Sequence, residues 1–425
     1  MKKEIQANNI SQHNLEQCLK CTICTAYCPV SAVEPKYLGP KLSGPDLERY
    51  RMKDPKIADD TLKMCLNCKR CEIACPSGVH IGDLIQAARI KYSKHIPGLR
   101  DRMLANTDFV GTMATMVSPI VNFSLGLKPT KALLHSVMKI DKHRTFPAYA
   151  NQKFETWFVR EAQDKQSQFN RFVSYFHGCY VNYNFPQLGK DLVKILNACN
   201  YGVHLLEKEK CCGVALIANG LSGQARKQGL TNMASIRKAI DNHDEAILTT
   251  SSTCTFTMRD EYPELLDIDN SDVRQSLLLA TRFIFTLVDK GKIRLAFRND
   301  YHARLAYHTA CHMERMGWVM YSTELLRMIP GVELTVLESI CCGIAGTYGF
   351  KRENYERSQK IGSTLFEHIE RAHPDYVVTD CETCKWQIEM STPYPVMNPI
   401  SILADALDVE KTQMLNQTTS HQPES

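Results

Sequence analysis

The residues best suited to chemistry are cysteines, and eight of them lie in two runs near the start of the chain. The runs, at residues 18–28 and 65–75, share the spacing C-x2-C-x2-C-x3-C-P. Three closely spaced thiolates can bind three irons of a [4Fe–4S] cube, and in proteins with two cubes the fourth cysteine of a run binds the other cube. The spacing therefore predicts two cofactor-binding sets: Cys18, Cys21, Cys24 and Cys75 for cluster 1, and Cys65, Cys68, Cys71 and Cys28 for cluster 2.

Two structural zinc sites are the alternative for these eight cysteines. Zinc takes four ligands, commonly from paired C-x2-C units. Such a chain would be a colourless, zinc-stabilised scaffold that only assembles partners. The repeated run, closed each time by Cys-Pro, favours iron–sulfur clusters over zinc.

A different cysteine pattern occurs twice in the C-terminal half. The first copy has its landmarks at Cys179, Cys211 and Cys254, and the second copy repeats them 132, 130 and 130 residues later. A nearly constant offset at three landmarks indicates a duplicated domain.

The second copy offers five thiols from three loops. Adjacent cysteines fit poorly on one small ion, but they can bridge neighbouring irons of an extended cluster, and Gly343 would relieve crowding where the backbone approaches the metal. The intervals resemble the CCG domain of heterodisulfide reductases and related oxidoreductases, and this resemblance implies an irregular, non-cubane [4Fe–4S] cluster. The predicted ligands are Cys311, Cys341, Cys342, Cys381 and Cys384.

The first copy has one thiol fewer, because Ser251 stands where the fifth cysteine would be. Four ligands leave an ordinary cube, zinc or no metal open. Cys199 lies outside both patterns, and we expect it to be a small buried hydrophobic residue. The possible ligands of the first copy are Cys179, Cys211, Cys212 and Cys254.

Three histidines lie beside these cysteines: His177, His308 and His312. They could tune a reduction potential through hydrogen bonds to sulfur, or carry protons to a quinone. A purely structural role is equally compatible with the sequence.

Each copy alternates short β-rich runs with helical patterns, which favours βαβ units on a parallel sheet. Cysteines then fall at the carboxyl ends of strands, where open α/β sheets bind ligands. We therefore predict an α+β multidomain fold: an α-helical ferredoxin-type domain with two [4Fe–4S] clusters, followed by two duplicated α/β CCG domains. The predicted segments are 1–100 (ferredoxin-type domain), 101–170 (linker), 171–300 and 301–408 (the CCG domains) and 409–425 (a disordered polar tail).

Charge and the absence of certain motifs limit which partners and cofactors the chain is expected to have. The chain has 425 residues and a formal charge of +5, which gives no reason to propose nucleic acid as a partner. Its N-terminus lacks the apolar run of a secretory signal, so clustered cysteines are expected to be ligands rather than disulfides. No G-x-G-x-x-G follows a strand and no phosphate-binding loop occurs, so we expect no flavin or NAD of its own. A cluster carrier of this kind needs a catalytic partner.

Residues 109–127 are apolar but are interrupted by Pro119 and Asn122, which argues against a spanning helix. An apolar segment with basic flanks could lie in a membrane interface, and a packed linker is the alternative. The flanking basic residues are Lys128, Lys131, Lys139, Lys142 and Arg144.

Long strings across residues 15–408 carry a closer resemblance, among them CLKCTICTAYCPVS, CLNCKRCEIACPSGVHIGD, TSSTCTFTMRDEYPEL and VVTDCETCKWQIEMS. The chain resembles the C subunits of bacterial anaerobic glycerol-3-phosphate dehydrogenases, whose usual string also has a serine at the position of Ser251. The resemblance implies a non-catalytic electron-transfer subunit with flavoprotein catalytic subunits as partners. It further implies transfer to membrane quinone (menaquinone or ubiquinone) and a peripheral location at the cytoplasmic face of the bacterial inner membrane. An iron–sulfur subunit of a related glycolate or lactate oxidase complex has a similar layout and is the alternative.

Overall fold

The computed structural model describes residues 15–57, 60–92 and 96–417. The cysteine runs belong to a small helical domain in which α4 provides four of the nine buried residues of the core. Its residues Ile81, Leu84, Ile85 and Ala88 are buried on one face, as the helical spacing predicts. The helices of this domain are α1 (Ile23–Ala26), α2 (Leu47–Lys53), α3 (Arg70–Ile73) and α4 (Ile81–Tyr92).

A helical linker follows. Val117 breaks the apolar segment, Pro119 lies in the first turn of the next helix, and the two helices meet at 104°. Within the described residues no single helix is long and apolar enough to cross a membrane, although this bent pair passes by length and composition. The linker helices are α5 (Leu99–Ala105), α6 (Thr107–Met116), α7 (Ser118–Gly126), α8 (Lys128–Ser136), α9 (Phe154–Trp157) and α10 (Gln163–Gln166).

The first CCG domain is built on a four-stranded, all-parallel sheet with strand order β2-β1-β3-β4. Short loops lead from each strand into a helix, so the carboxyl ends of the strands share one edge. The elements are β1 (Phe172–Tyr175), α11 (Gly178–Tyr183), α12 (Pro186–Ala198), β2 (Gly202–Leu205), α13 (Val214–Ala218), α14 (Ser222–Asp241), β3 (Ile247–Thr249), α15 (Ser252–Phe256), α16 (Tyr262–Leu266), β4 (Leu277–Leu279) and α17 (Ala280–Asp289).

The second CCG domain repeats this topology in the order β6-β5-β7-β8, again all parallel. The identical order supports the duplication inferred from the cysteine offsets. The elements are β5 (Ala303–Tyr307), α18 (Cys311–Met316), α19 (Val319–Arg327), β6 (Val332–Val336), α20 (Tyr355–Ala372), β7 (Tyr376–Val378), α21 (Glu382–Ser391), β8 (Val396–Met397), α22 (Pro399–Ala406) and α23 (Val409–Gln417).

The two CCG domains share one hydrophobic core. Helix α12 packs on α22, α17 packs on α19, and the core contains Val173 of one sheet and Leu305 of the other. Because this apolar surface is continuous, the two copies are held in a fixed relation rather than tethered loosely.

The prediction of a disordered tail over residues 409–425 is wrong for its first half. Helix α23 packs on α12, and its polar residues Thr412 and Asn416 are buried. They accept hydrogen bonds from the backbone N–H groups of Ala296 and Arg294 at 3.0 and 2.9 Å. These polar side chains, which the sequence suggests are solvated, therefore hydrogen-bond to the segment that connects the two CCG domains. Residues 418–425 lie outside the described residues.

Candidate metal centres

The two cysteine runs of the helical domain fold into the same loop. Lys20 and Thr22 in the first run, and Asn67 and Lys69 in the second, have φ angles of 58°, 65°, 56° and 62°. Non-glycine residues adopt this left-handed conformation only where the surroundings impose it. Alternating left-handed residues turn backbone N–H groups towards one concave side, an arrangement typical of iron–sulfur sites. The loops therefore fit a cluster by their backbone as well as by their thiols.

The last cysteine of each run, Cys28 or Cys75, lies with the first three cysteines of the other run. Burial raises the pKa of Cys24 to about 11, and its thiol neighbours include Cys75 of the second run. Burial likewise raises the pKa of Cys65 to about 11, and Cys28 of the first run is among its neighbours. Iron binding would favour the thiolates that burial disfavours. The structure thus groups Cys18, Cys21, Cys24 and Cys75, and separately Cys28, Cys65, Cys68 and Cys71, as the spacing predicts, while their ligation remains a prediction.

The two sets differ in exposure. Cys21 of the first set is exposed, and Leu19 beside it is 70% exposed. Around the second set, the buried ammonium of Lys69 pairs with Asp83 and, at 3.7 Å, with Glu72. The first set therefore faces outwards, and the second set lies deeper in the protein.

The second set touches the second CCG domain. Cys68 and Cys311 are direct neighbours, and the hydrogen bond from Cys311 lowers the pKa of Cys68. Two ion pairs clamp the domains around this contact: Arg70 with Glu314 at 3.3 Å, and Arg315 with Glu72 at 3.0 Å. His312 adds a bridge, with its Nε2 3.4 Å from the Asn67 carbonyl oxygen.

The five thiols of the second CCG domain converge at the carboxyl ends of β5, β6 and β7. The Sγ atoms of Cys342 and Cys384 are 3.4 Å apart. The hydrogen bond from Cys384 lowers the pKa of Cys342 to about 6, against the effect of burial. Cys311 neighbours Cys341, and Cys381 neighbours Cys384. Five buried or partly buried thiols in one place fit a polynuclear group better than a single ion.

The structure gives Gly343 a packing role in addition to the expected one. Its φ is +86°, and a Cβ there would lie 2.1 Å from the backbone oxygen of Ser358. The left-handed backbone and the close packing against the first turn of α20 both require glycine, and relief of crowding at the metal stays a prediction.

The four thiols of the first CCG domain also converge. The Sγ atoms of Cys179 and Cys211 are 3.8 Å apart, and Cys212 neighbours Cys254. Ser251 occupies the place of the fifth thiol: its Oγ accepts the N–H of Cys254 at 3.3 Å and donates to Glu382 of the second domain at 2.8 Å. Ser251 therefore caps α15 and links the two domains, whereas a cysteine would add a ligand.

The two CCG sites lie side by side. The N–H of Ser252 donates to the Asp380 carbonyl at 2.8 Å, and Thr253 Oγ1 lies 3.5 Å from Cys381 Sγ. The loop after β3 thus lies against the loop after β7. Phe256 of the first domain stacks on His312 of the second, with ring centroids 4.6 Å apart.

Sequence reasoning missed the contribution of the linker. Asp108 on α6 accepts the N–H of Cys211 at 2.9 Å, and burial raises the pKa of Asp108 to about 6. Arg144, expected to be a basic flank at a membrane, is buried and donates to Gly349, Ser358 and Gln387. No local sequence signal marks either contact, because each partner lies more than 100 residues away.

Cys199 is buried in the shared core, and burial raises its pKa to about 12. This confirms its prediction as a small hydrophobic residue.

A cavity of about 980 Å³ connects the centres. It is lined by Cys68 of the helical domain, by thiols of both CCG domains and by the inner side of α6 at Val110 and Gly111. Its wall also carries eight aromatic side chains: Tyr92, Phe146, Tyr149, Tyr180, Tyr183, Tyr348, Phe350 and Trp386.

Comparison with protein families agrees with this architecture. Residues 14–79 match the 4Fe–4S dicluster domain, and residues 173–259 and 305–389 each match the cysteine-rich domain called CCG. The helical domain is therefore a [4Fe–4S] domain, and the two CCG domains favour further iron–sulfur sites.

Among curated proteins, the C subunit of the anaerobic glycerol-3-phosphate dehydrogenase from Escherichia coli (strain K12) is 55% identical over 93% of this chain and 99% of its own length. The glycolate oxidase iron–sulfur subunit of the same strain is 26% identical over 93% and 95%. Lactate utilization protein A of Geobacillus sp. (strain WCH70) is 29% identical over 49% of this chain and 87% of its own length. A solved glutamate racemase from Francisella tularensis aligns with a TM-score of only 0.26 at 12% identity, over 60% of this chain and 85% of that chain, which is too weak to indicate a shared fold.

Fold and site together define an iron–sulfur protein in which a 4Fe–4S dicluster domain precedes two CCG domains, which confirms the predicted fold class. The chain belongs to the family of anaerobic glycerol-3-phosphate dehydrogenase C subunits.

Proposed function

We propose that the chain is the electron-transfer subunit of an anaerobic glycerol-3-phosphate dehydrogenase, and that it passes electrons from flavin-containing catalytic subunits to membrane quinone. One observation carries the proposal: thiol sets follow one another from the exposed Cys21 through the Cys68–Cys311 contact to the paired CCG sites. A chain of clusters without a site for hydride chemistry conducts electrons and leaves substrate oxidation to its partners. The complement would be two [4Fe–4S] cubes, a non-cubane cluster in the second CCG domain and a further metal site in the first.

The donor would dock at the first thiol set. Electron transfer requires close approach, and this set is the one with an exposed ligand, Cys21. Leu19, Tyr27 and Leu38 are exposed large apolar residues of the same domain, as expected at a protein–protein contact. Substituting Leu19→Glu should weaken reduction of the clusters by the catalytic subunits, whereas Met320→Glu on the second CCG domain should not.

Electrons would leave the chain for membrane quinone at the linker. Helices α6 and α7 expose Phe109, Met116, Ile120 and Phe123, the last two at 70% and 71%. Basic residues of the following segment, including Lys128 and Lys142, are exposed beside them. Such a surface suits an interfacial helix pair on an anionic bilayer, which supports a peripheral location at the cytoplasmic face of the inner membrane.

The cavity supports the same assignment. One side of α6 is exposed and apolar, while the other side lines the cavity that contains the CCG thiols. The wall is aromatic, as is common where proteins bind flat organic rings. Quinone would enter from the bilayer beside α6 and be reduced near Cys179.

The decisive experiment is anaerobic reconstitution with catalytic subunits, quinone-containing vesicles and glycerol 3-phosphate. The complete complex should reduce quinone, and omission of this chain should abolish that reaction while a soluble dye is still reduced. Full-rate quinone reduction by the catalytic subunits alone would refute the relay. An Ile120→Glu/Phe123→Glu variant should lose vesicle binding, with Val159→Glu as the exposed apolar control.

The glycolate and lactate oxidase alternative rests on the weaker relatives. The same assay with glycolate oxidase catalytic subunits tests it directly. Iron, acid-labile sulfide and zinc analysis of the anaerobic protein tests the zinc scaffold, which predicts zinc without sulfide.

A further inference from the structure

His308 is a buried polar side chain whose ring nitrogens make no hydrogen bond of ordinary geometry among the described residues, and its ring neighbours the Cys342 thiol. It is 0% exposed, and both Nδ1 and Nε2 are left unsatisfied. Its backbone N–H donates to the Val378 carbonyl at 2.8 Å, so the residue is fixed between β5 and β7. Buried polar groups are nearly always hydrogen-bonded, so this imidazole requires an explanation.

The ring is directed at the second CCG site. A ring nitrogen of His308 and the sulfurs of Cys342 and Cys384 all lie within 4.8 Å of one another, and all three residues are buried. The imidazole therefore faces the group that these thiols would hold.

The first CCG domain shows what a structural histidine looks like at the same place. His177 also precedes the leading cysteine, but its Nδ1 lies 3.1 Å from the Gly178 carbonyl oxygen and 3.1 Å from Glu209. Glu209 lies two residues before Cys211, and the residue two before Cys341 is Ser339. Ser339 instead accepts a hydrogen bond from Arg70. The second copy has thus lost the carboxylate that satisfies the histidine in the first.

We propose that His308 donates a hydrogen bond from its ring N–H to a sulfur of the iron–sulfur group held by the second CCG domain, and thereby raises that group's reduction potential. The proposal rests on the proposed cluster in this domain and not on the direction of electron flow. A donor at sulfur stabilises the more negative, reduced state of a cluster. His308 is then a positioning and tuning residue rather than a ligand.

The test is a redox titration of the full chain, purified anaerobically and followed by EPR. His308→Leu should keep its iron and make reduction of the second CCG cluster about tenfold less favourable, which corresponds to about 59 mV for one electron. His308→Gln retains a donor and should restore most of the shift. His177→Leu is the matched control and should leave this signal unchanged.

Pulsed EPR on protein with ¹⁵N-labelled histidine gives a second readout, which does not depend on the reduction potential. A weak nitrogen coupling, absent in His308→Gln, is expected for a hydrogen bond to sulfur. A strong coupling would show direct iron ligation and overturn the proposal, as would an unshifted potential in an iron-replete His308→Leu protein. If the wild-type chain shows no cluster signal from this domain, the proposed cofactor complement fails instead.

Discussion

The two CCG domains have one topology but different surroundings. Both domains contact the ferredoxin-type domain and the linker, so the difference lies at the thiols. The site of the second domain, here called the inner site, meets the ferredoxin-type domain through Cys311 and Cys68, and ion pairs surround the contact. The site of the first domain, here called the outer site, meets the linker, where Asp108 accepts the N–H of Cys211.

The difference extends to the ligand sets. The inner site has five thiols and an unpaired histidine, and the outer site has four thiols, Ser251 and a satisfied histidine. Two copies of one cysteine pattern therefore need not bind the same metal centre. Residues outside the pattern decide which polar side chains near the thiols remain free to interact with that centre.

The largest effect should come from removing a thiol of the inner site. Cys384→Ser should lose the cluster of the second domain and slow quinone reduction about 100-fold or more, since a missing ligand costs at least as much as a missing ligand partner. Metal analysis and reconstituted turnover measure this.

The matched variant is Cys254→Ser, 130 residues earlier. It should leave the EPR signal of the second domain intact. Loss of that signal in Cys254→Ser would contradict the separation of the two sites.

The second-largest effect should come from the ion pairs Arg70–Glu314 and Arg315–Glu72, the clamp between the ferredoxin-type domain and the inner site. Arg315→Met leaves the buried Glu72 with Lys69 and the backbone N–H of Asp83 as partners, and the lost ion pair should cost about 1–2 kcal/mol in the free energy of unfolding. It should also slow electron transfer into the second domain several-fold.

Denaturation and rapid-mixing kinetics measure these two effects. The control is Lys238→Met, which breaks an exposed pair with Glu207 in the first domain and should change stability by less than about 1 kcal/mol. Equal losses in both variants would mean that the clamp has no special role.

Restoring the fifth thiol should make the outer site resemble the inner one. Ser251→Cys places a thiol beside Cys254 and Glu382, and the extended-cluster EPR signal should rise about twofold because the ligand set becomes complete. Ser251→Ala removes the hydroxyl without adding a ligand and should not raise the signal. An unchanged spectrum in Ser251→Cys would show that a fifth thiol is not what separates the copies.

The smallest effect is expected at Cys199. Cys199→Ser puts a hydroxyl into the shared core and should cost about 1 kcal/mol of stability, with iron and sulfide content unchanged. Thermal unfolding and metal analysis check both points, and iron loss would mean that Cys199 supports a centre.

Much of the fold followed from local pattern. The short β-rich runs of the second copy, residues 304–307, 333–337 and 376–379, lie within one residue of β5, β6 and β7, because burial on a sheet imposes a short-range pattern. The helix of residues 409–417 was not predictable in this way. Its polar residues are buried only because backbone groups between the domains need partners.

The sequence alone determined the thiol sets, the duplication and the order of strands and helices, since these depend on residue type and spacing along the chain. Only the tertiary structure shows that Cys68 contacts Cys311, and that the linker residues Asp108 and Arg144 hydrogen-bond to the CCG domains. It also shows that His308 lacks the carboxylate neighbour that His177 has in Glu209. The physical reason is that these contacts join residues 103 to 243 positions apart or depend on a missing neighbour. Packing of whole domains sets such relations, and no local periodicity records them.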